Sequence, residues 1–210
     1  MPFGNRRLQL SLTYIQTKVK HLLTNKKMEE LNYLQIGQPA PNFENISAYL
    51  PESDDVEGKI SLADYKGKWV LLFFYPLDFT FVCPTELIKL SKMQEEFAEN
   101  NCQILSVSVD SPFVHQAWLK ADKRLADIKF PMLSDMDKML GIDYNTIHDD
   151  GMHFRGAFII DPDGVLQSMT VNNLAVGRSP EELLRTLKAF QTGELCPVDW
   201  HEGEKTLGKA

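Results

Sequence analysis

Residues 69–86 read WVLLFFYPLDFTFVCPTE, and this stretch decides the fold. It opens with a continuous apolar run, residues 69–75, rich in residues that favour strands. Such a run predicts a strand buried on both faces, and Pro76 ends it because proline has no N–H to donate. From residue 84 to residue 99 the apolar side chains recur at helical spacing, so a helix follows the strand. Cys83 lies where the strand gives way to that helix.

Working outward from this stretch, strands and helices alternate along the chain. The predicted elements are a strand at 102–109, a helix at 113–124, a short strand at 130–133, a short helix at 137–140, a hairpin of 156–161 with 165–171, and a helix at 180–192. Alternating strands and helices predict parallel pairs, and the hairpin adds an antiparallel pair. We therefore predict an α/β fold, with a mixed central β-sheet and helices on both faces. Segment 39–58 is rich in Pro, Asn, Ser and Asp, so we expect a loop there with at most one short edge strand.

Composition sets limits on function. The chain has 210 residues, 43% hydrophobic and 24% charged, which fits one domain with tails. Its net charge of −7 argues against general nucleic-acid binding, which relies on basic patches. The sequence has no apolar run of about 18 residues, so we expect no membrane span.

The first residues differ from the rest in charge. Residues 1–27 carry basic side chains and no acid. Two interpretations stay open: an acid-poor amphipathic targeting segment, or an extension upstream of a natural start at Met28. We predict an N-terminal extension at 1–33, a core domain at 34–192 and a tail at 193–210. The expected location is the cytoplasm, with an organelle as the alternative.

The three cysteines are too few for a disulfide-stapled scaffold, and no CxxC pair is present. Cys83 opens the predicted helix, where free N–H groups and the helix dipole favour an anion, so its thiolate is a candidate nucleophile. The alternative is that Cys83 is a small buried residue in an apolar turn. Cys102 opens a core strand, and we expect it to be buried and inert. Cys196 lies in the tail.

Two motifs carry a family resemblance. The pattern Pro76-x-x-x-Thr80-x-x-Cys83 resembles the active-site motif of the peroxiredoxins, and FVCPTE at 81–86 resembles their typical two-cysteine subclass, which includes the bacterial alkyl hydroperoxide reductase C component. GELCPVDW at 193–200 is similar to the resolving-cysteine segment of that subclass. The resemblance extends over about residues 34–207. It implies a thioredoxin-like fold and a thiol peroxidase that serves antioxidant defence and cell redox homeostasis.

The same resemblance implies a role for each cysteine. The Cys83 thiolate attacks hydrogen peroxide or an organic hydroperoxide and becomes a sulfenic acid, and Cys196 then condenses with it to a disulfide. The two cysteines are 196 − 83 = 113 positions apart. Spacing leaves open whether they meet within one chain, whereas the resemblance implies pairing between the two subunits of a dimer. Thr80 is expected to hydrogen-bond near the sulfur, and Pro76 to shield it from water.

Four further residues match the family pattern or lie beside it. Arg155 matches the arginine that contacts the sulfur and the peroxide, where a cation stabilises the thiolate and the charge on the leaving oxygen. Arg178 matches a second arginine, which we expect to pair with Glu86. Without the resemblance, each arginine would be interpreted as a solvated surface charge. Trp118, near His115 on the helix after residue 111, is interpreted mainly as packing, with an active-site wall or a subunit contact as the alternative.

No cofactor is expected, since the chain has neither a glycine-rich phosphate loop nor a dinucleotide fingerprint. His148, Asp149, Asp150 and His153 match no metal-ligand spacing, so we expect a polar loop there and no metal. The expected electron donor is thioredoxin, with a flavoprotein disulfide reductase as the alternative. The family resemblance implies a homodimer, or a decameric ring of such dimers.

Two departures and two rival functions remain. Many eukaryotic members carry a Gly-Gly-Leu-Gly insertion and a C-terminal Tyr-Phe pair; residues 123–131 have no such insertion, and no Tyr-Phe pair follows Trp200. In the family, these two elements are associated with slow local unwinding and easy over-oxidation. Because this chain has neither, we expect Cys83 to resist over-oxidation to sulfinic acid. The rivals are a holdase with structural cysteines and a general dithiol oxidoreductase. The missing CxxC pair argues against the second.

Overall fold

The computed structural model describes residues 34–209. The predicted N-terminal extension at 1–33, with its targeting alternative, lies outside the described residues. Within 34–209 the strands are β1 Ile46–Leu50, β2 Asp55–Ile60, β3 Trp69–Phe74, β4 Cys102–Ser108, β5 Met132–Ser134, β6 Arg155–Ile160 and β7 Leu166–Asn172. The α-helices are α1 Cys83–Glu99, α2 Pro112–Ala121, α3 Met139–Asp143 and α4 Pro180–Gln191, and short 3-10 helices cover Leu62–Tyr65 and Lys123–Leu125.

The strands form one mixed sheet in the order β2-β1-β5-β4-β3-β6-β7. β3 runs parallel to β4, which runs parallel to β5, as expected for strands joined through helices. The hairpin of β6 and β7 adds antiparallel strands on the other side of β3. The predicted mixed sheet is confirmed, and it leaves β2 and β7 at its two edges.

Strand β3 is buried on both faces, which explains its unbroken apolar sequence. Leu71 and Phe73 join the core under α1, α2 and α4, with Leu87, Leu90 and Leu184 among their partners. The alternate side chains join the opposite core, whose members include Val70, Leu72, Phe74, Leu140 and Phe158. The end of β3 is therefore fixed from both sides, and the loop that follows starts from a rigid element.

The prediction for segment 39–58 was wrong in part: β2 is the expected short edge strand, whereas β1 was not foreseen. Residues 46–50 and 55–60 form a hairpin, and β1 lies inside the sheet because it also pairs with β5. The turn uses Asp54 at a φ of +54°, a conformation that asparagine and aspartate tolerate better than most residues. The burial of Ala48 and Tyr49 comes from these long-range pairings, which the local composition does not reveal.

Two helix boundaries also differ from the prediction. α2 ends at Ala121 because Asp122 adopts an extended conformation and caps the 3-10 helix that follows. The short helix begins at Met139, after Lys138 in the left-handed region, and continues to Asp143. No helix within residues 34–209 combines the length and apolar character that a membrane span requires.

Candidate active site

Cys83 is the first residue of α1 and is completely buried, with 0% of its surface exposed. Pro84 follows it in the first turn, where a missing N–H costs nothing. The first N–H groups of a helix have no partner inside the helix, and they carry the positive end of its dipole. The sulfur thus lies at the positive end of a 17-residue helix, and the partial charge at that end favours an anion.

The loop between β3 and α1 shapes the approach to Cys83. Pro76 is buried at the start of this loop, where it can exclude water. Phe79 has a φ of +54°, which is unusual for an aromatic residue, and it lies in a turn of the loop. The hydroxyl of Thr80 donates a hydrogen bond to the carbonyl of Leu77 at 2.8 Å, instead of the expected bond near the sulfur. Its oxygen keeps lone pairs that can accept a hydrogen bond.

A buried cluster of three charges adjoins the sulfur. Nη1 of Arg155 lies 3.5 Å from Sγ of Cys83 and 2.7 Å from Oε2 of Glu86. The other carboxylate oxygen of Glu86 accepts from Nε of Arg178 at 2.9 Å and from the Arg178 backbone N–H at 2.7 Å. The expected pair between Arg178 and Glu86 is present, whereas the bond of Arg155 to the same carboxylate was not foreseen. Two cations around one carboxylate leave a net charge of +1 beside Cys83.

Packing and backbone contacts fix both arginines. The guanidinium of Arg178 lies 3.4 Å over the ring of Phe73 and also donates to the carbonyl of Gly156. Burial lowers the pKa of Arg178 to about 10, and Glu86 opposes that change, so the side chain stays charged at neutral pH. Nε of Arg155 donates to the carbonyl of Leu174 at 2.7 Å. The cation beside the sulfur is therefore held before any substrate arrives, as electrostatic catalysis requires.

A second buried network, missed by the sequence analysis, holds the other end of the loop. Asp78 accepts a hydrogen bond from the hydroxyl of Tyr75 at 2.8 Å and lies 2.7 Å from Nδ1 of His115. Burial raises the pKa of the Asp78 carboxyl, while His115 works against that rise. Trp118, one helical turn after His115, is buried against Tyr75 and Phe79. No local pattern indicated this network, because Asp78 and His115 are 37 positions apart in the sequence.

Cys196 lies in the tail, next to the last turn of α4. Its sulfur is 3.4 Å from Oγ1 of Thr192 and 3.6 Å from the carbonyl of Ala189. The tail folds back on itself, because Leu195 exchanges backbone hydrogen bonds with the segment 207–208. Trp200 is buried beneath this fold. The tail therefore holds Cys196 in a defined, partly exposed position.

The two cysteines lie at opposite ends of α1. α4 runs in the same direction as α1: Glu181, at its start, pairs with Lys89, and Gln191, at its end, hydrogen-bonds the carbonyl of Asn100 just beyond α1. Cys83 is at the first residue of α1, and Cys196 follows the end of α4. A helix of 17 residues is about 25 Å long, so a long gap separates the two sulfurs within one chain.

The remaining candidates lie away from this site. Cys102 is buried in β4, and burial raises the pKa of its thiol to about 12, in line with the expected inert role. His153 is fully buried and lies 3.1 Å from the hydroxyl of Thr146, so it does not belong to the polar loop that we expected. Burial lowers its pKa to about 3. Within residues 34–209 no group of three or more His, Cys, Asp or Glu side chains is placed to hold a metal ion.

Comparison with known proteins identifies the family. The model of the AhpC/TSA family matches residues 36–169. The chain belongs to the AhpC/TSA family, the peroxiredoxins. It is 48% identical over 185 residues to the putative peroxiredoxin ycf42 of Porphyra purpurea, covering 84% of this chain and 90% of the relative. It is 46% identical over 182 residues to the peroxiredoxin tpx1 of Schizosaccharomyces pombe, covering 83% and 93%.

Solved structures extend the agreement to the fold. The reduced 2-Cys peroxiredoxin of Plasmodium vivax matches with a TM-score of 0.78 and 40% identity, covering 82% of this chain and 92% of that one. The AhpC of Mycobacterium tuberculosis matches with a TM-score of 0.72 and 37% identity, covering 80% and 99%. The predicted thioredoxin-like fold is confirmed. This peroxiredoxin is a thiol peroxidase, an oxidoreductase with an antioxidant function.

Proposed function

We propose that Cys83 is the peroxidatic residue and that Cys196 resolves its oxidised form. The Cys83 thiolate attacks one oxygen of the hydroperoxide in line with the O–O bond. That bond breaks, the sulfur keeps the attacked oxygen as a sulfenic acid, and the other oxygen leaves as an alcohol or water after taking a proton. The contact of Arg155 with the Cys83 sulfur carries this proposal, because it sets a fixed cation where negative charge moves from sulfur to oxygen.

Each other residue of the site has a role in this step. The backbone N–H of Cys83 and the lone pairs of Thr80 hold the peroxide oxygens, while the N–H groups of Thr85 and Glu86 donate to the carbonyl of Val82. Pro76 keeps water from the sulfur, and Trp118 packs the loop. Glu86 orients Arg155 and Arg178 together, so it is a positioning residue.

Resolution uses Cys196 of a second copy. The Cys196 sulfur attacks the sulfenic sulfur, the S–O bond breaks, and the hydroxide leaves as water with the thiol proton. The separation along α1 supports pairing between two copies, since one chain would have to bridge about 25 Å. Cys83 must also leave the first turn of α1, so we expect local unwinding there.

Two surfaces support self-association. Within residues 34–209, β7 is an edge strand with Met169 and Val171 exposed, and an edge of this kind can pair with the same edge of a second copy. We propose this homodimer as the unit of catalysis. Phe79 is exposed beside a cavity of about 330 Å³ that Thr80 and Trp118 help to line, which offers a contact for assembling dimers into a decameric ring.

The electron donor is proposed to be thioredoxin, with a flavoprotein disulfide reductase as the alternative. Either would reduce the Cys83–Cys196 disulfide by thiol–disulfide exchange. The partly exposed Cys196 is the more accessible sulfur for that attack. We propose a cytoplasmic location, with an organelle as the alternative. The alternative is kept because one similar solved structure is a mitochondrial 2-Cys peroxiredoxin from Plasmodium falciparum.

The test is a coupled assay with hydrogen peroxide, thioredoxin, thioredoxin reductase and NADPH. Cys83→Ser should consume no peroxide, and Cys196→Ser should consume about one equivalent per chain without recycling. Mixing the two variants should restore turnover, because one copy then supplies each sulfur. If the mixture stays inactive while the wild type turns over, the pairing between copies is wrong.

A further inference from the structure

The aromatic ring nearest to the nucleophile in sequence is almost fully exposed. Phe81 lies two residues before Cys83 and has 93% of its surface exposed, whereas Cys83 has none. The Phe81 side chain is not part of either hydrophobic core of the described residues. Phe81 also has no role in the proposed reaction of Cys83 with peroxide. The exposed ring is therefore available to contact another copy of the chain.

A cavity of matching character lies beside the other cysteine. It has a volume of about 430 Å³. Ala189 and Phe190 of α4 and Leu195, Cys196 and Pro197 of the tail form its apolar part, and Arg185, Thr186 and Glu194 add polar groups. We call it the resolving-cysteine cavity. Phe190 is 39% exposed and Leu195 48%, so its apolar walls face solvent in the single chain. Such walls favour an apolar side chain as the occupant.

Disulfide geometry brings these two features together. In a disulfide the two Cα atoms are about 4.4–6.8 Å apart. Phe81 is two residues from Cys83, so its Cα lies at most about 7 Å further on. In the Cys83–Cys196 disulfide, Phe81 must therefore lie within about 14 Å of Cys196, whose own cavity is open. Since the Cys83 of the same chain is at the far end of α1, this Phe81 comes from a second copy.

We propose that Phe81 of one copy inserts its ring into the resolving-cysteine cavity of its partner, where it contacts Phe190 and Leu195. This inference rests on the proposed disulfide between copies. Docking of the ring holds the Cys196 thiol close to the Cys83 sulfenic acid and so raises its effective concentration. Phe81 is thus a positioning residue for condensation and has no part in peroxide attack. The step needs no outside oxidant, because the Cys83 sulfur is reduced as the Cys196 sulfur is oxidised.

The experiment follows one turnover. Reduced protein is mixed with one equivalent of hydrogen peroxide per chain and quenched at intervals, and mass spectrometry measures the sulfenic acid, trapped with dimedone, and the disulfide-linked dimer. Phe81→Ala and Phe190→Ala should each slow disulfide formation at least about tenfold, as expected for loss of an aromatic anchor. Sulfenic acid should form at the wild-type rate in both. Phe81→Leu should restore part of the loss, because leucine keeps an apolar side chain.

Controls separate the alternatives. Ile142→Ala removes an exposed apolar side chain from α3 and should leave both rates unchanged. The double variant Phe81→Ala/Phe190→Ala should be no slower than either single variant, since both remove one contact. Disulfide formation at the wild-type rate in Phe81→Ala would overturn the proposal. So would a Phe190→Ala variant that condenses normally but is reduced slowly by thioredoxin, which would assign the cavity to the reductant. Failure of the wild type to consume peroxide would instead refute the proposed function.

Discussion

Replacement of Arg155 by methionine should greatly lower the rate at which Cys83 reacts with peroxide. Nη1 of Arg155 is 3.5 Å from the Cys83 sulfur, and two unit charges at that distance interact by about 5 kcal/mol at an effective dielectric constant of about 20. Glu86 lies 2.7 Å from the same nitrogen and offsets part of this attraction. Loss of one preorganised donor typically costs about 2.7–4 kcal/mol. We therefore expect the second-order rate constant with hydrogen peroxide to fall about 100- to 1,000-fold.

The assay is stopped-flow mixing of reduced protein with hydrogen peroxide, where Cys83 oxidation is followed directly and no reductant is present. Arg155→Lys keeps the charge but loses the planar fork, so its rate should lie between those of the wild type and of Arg155→Met. Lys129→Met is the control, because Lys129 is an exposed cation that pairs with the exposed Glu95.

Stability must be measured on the same variants. Glu86 keeps Arg178 as a partner in Arg155→Met, so we expect the fold to persist, and thermal unfolding checks this. A folded Arg155→Met protein that reacts within about threefold of the wild-type rate would refute the argument that this cation stabilises the reacting charge.

Three further predictions concern stability and titration. Glu86→Gln should lower the free energy of unfolding by about 3–5 kcal/mol in denaturant titrations, since it leaves buried arginine charges without a carboxylate, whereas the exposed Glu95→Gln should change it by at most about 0.5 kcal/mol. Cys102, whose pKa is raised to about 12, should resist iodoacetamide at pH 8 in the folded protein; rapid alkylation seen by mass spectrometry would contradict its burial. His153, whose pKa is lowered to about 3, should stay neutral at pH 4.5 in an NMR titration, and a midpoint above pH 5 would be inconsistent with that environment. Because the unfolded chain binds this proton near pH 6.5, the stability that His153 contributes is present above pH 6.5 and is lost as the pH falls toward 3.

The elements that the sequence predicted correctly are those with strong local signals. β3 is an unbroken apolar run, α1 has helical spacing behind Pro84, and α4 begins with a serine cap and a proline. Strand β1 of the hairpin at 46–60 was missed because its burial depends on pairing with β5, in which Met132 pairs with Tyr49 from 132 − 49 = 83 positions away. Such strands carry little local pattern, and a turn-rich composition conceals them.

The site residues also fall into those that a local motif predicts and those that only the fold brings together. The spacing of Pro76, Thr80 and Cys83 is local, so the motif was sufficient to predict their loop. The arginines come from distant strands and loops, and the family resemblance supplied them where composition could not. Nothing local indicated that Asp78 would be buried against His115, because that pair joins a loop to a helix across 37 positions. Buried polar networks of this kind follow from the fold and not from spacing.

The most direct test of the central claim is to determine which cysteine is oxidised first by peroxide. Reduced wild-type, Cys83→Ser and Cys196→Ser proteins are each given one equivalent of hydrogen peroxide and analysed by peptide mass spectrometry with dimedone. We predict a sulfenic acid at Cys83 in Cys196→Ser, a Cys83–Cys196 disulfide in the wild type, and no peroxide consumed by Cys83→Ser. Consumption by Cys83→Ser at the wild-type rate, or a sulfenic acid that forms first at Cys196, would contradict the account.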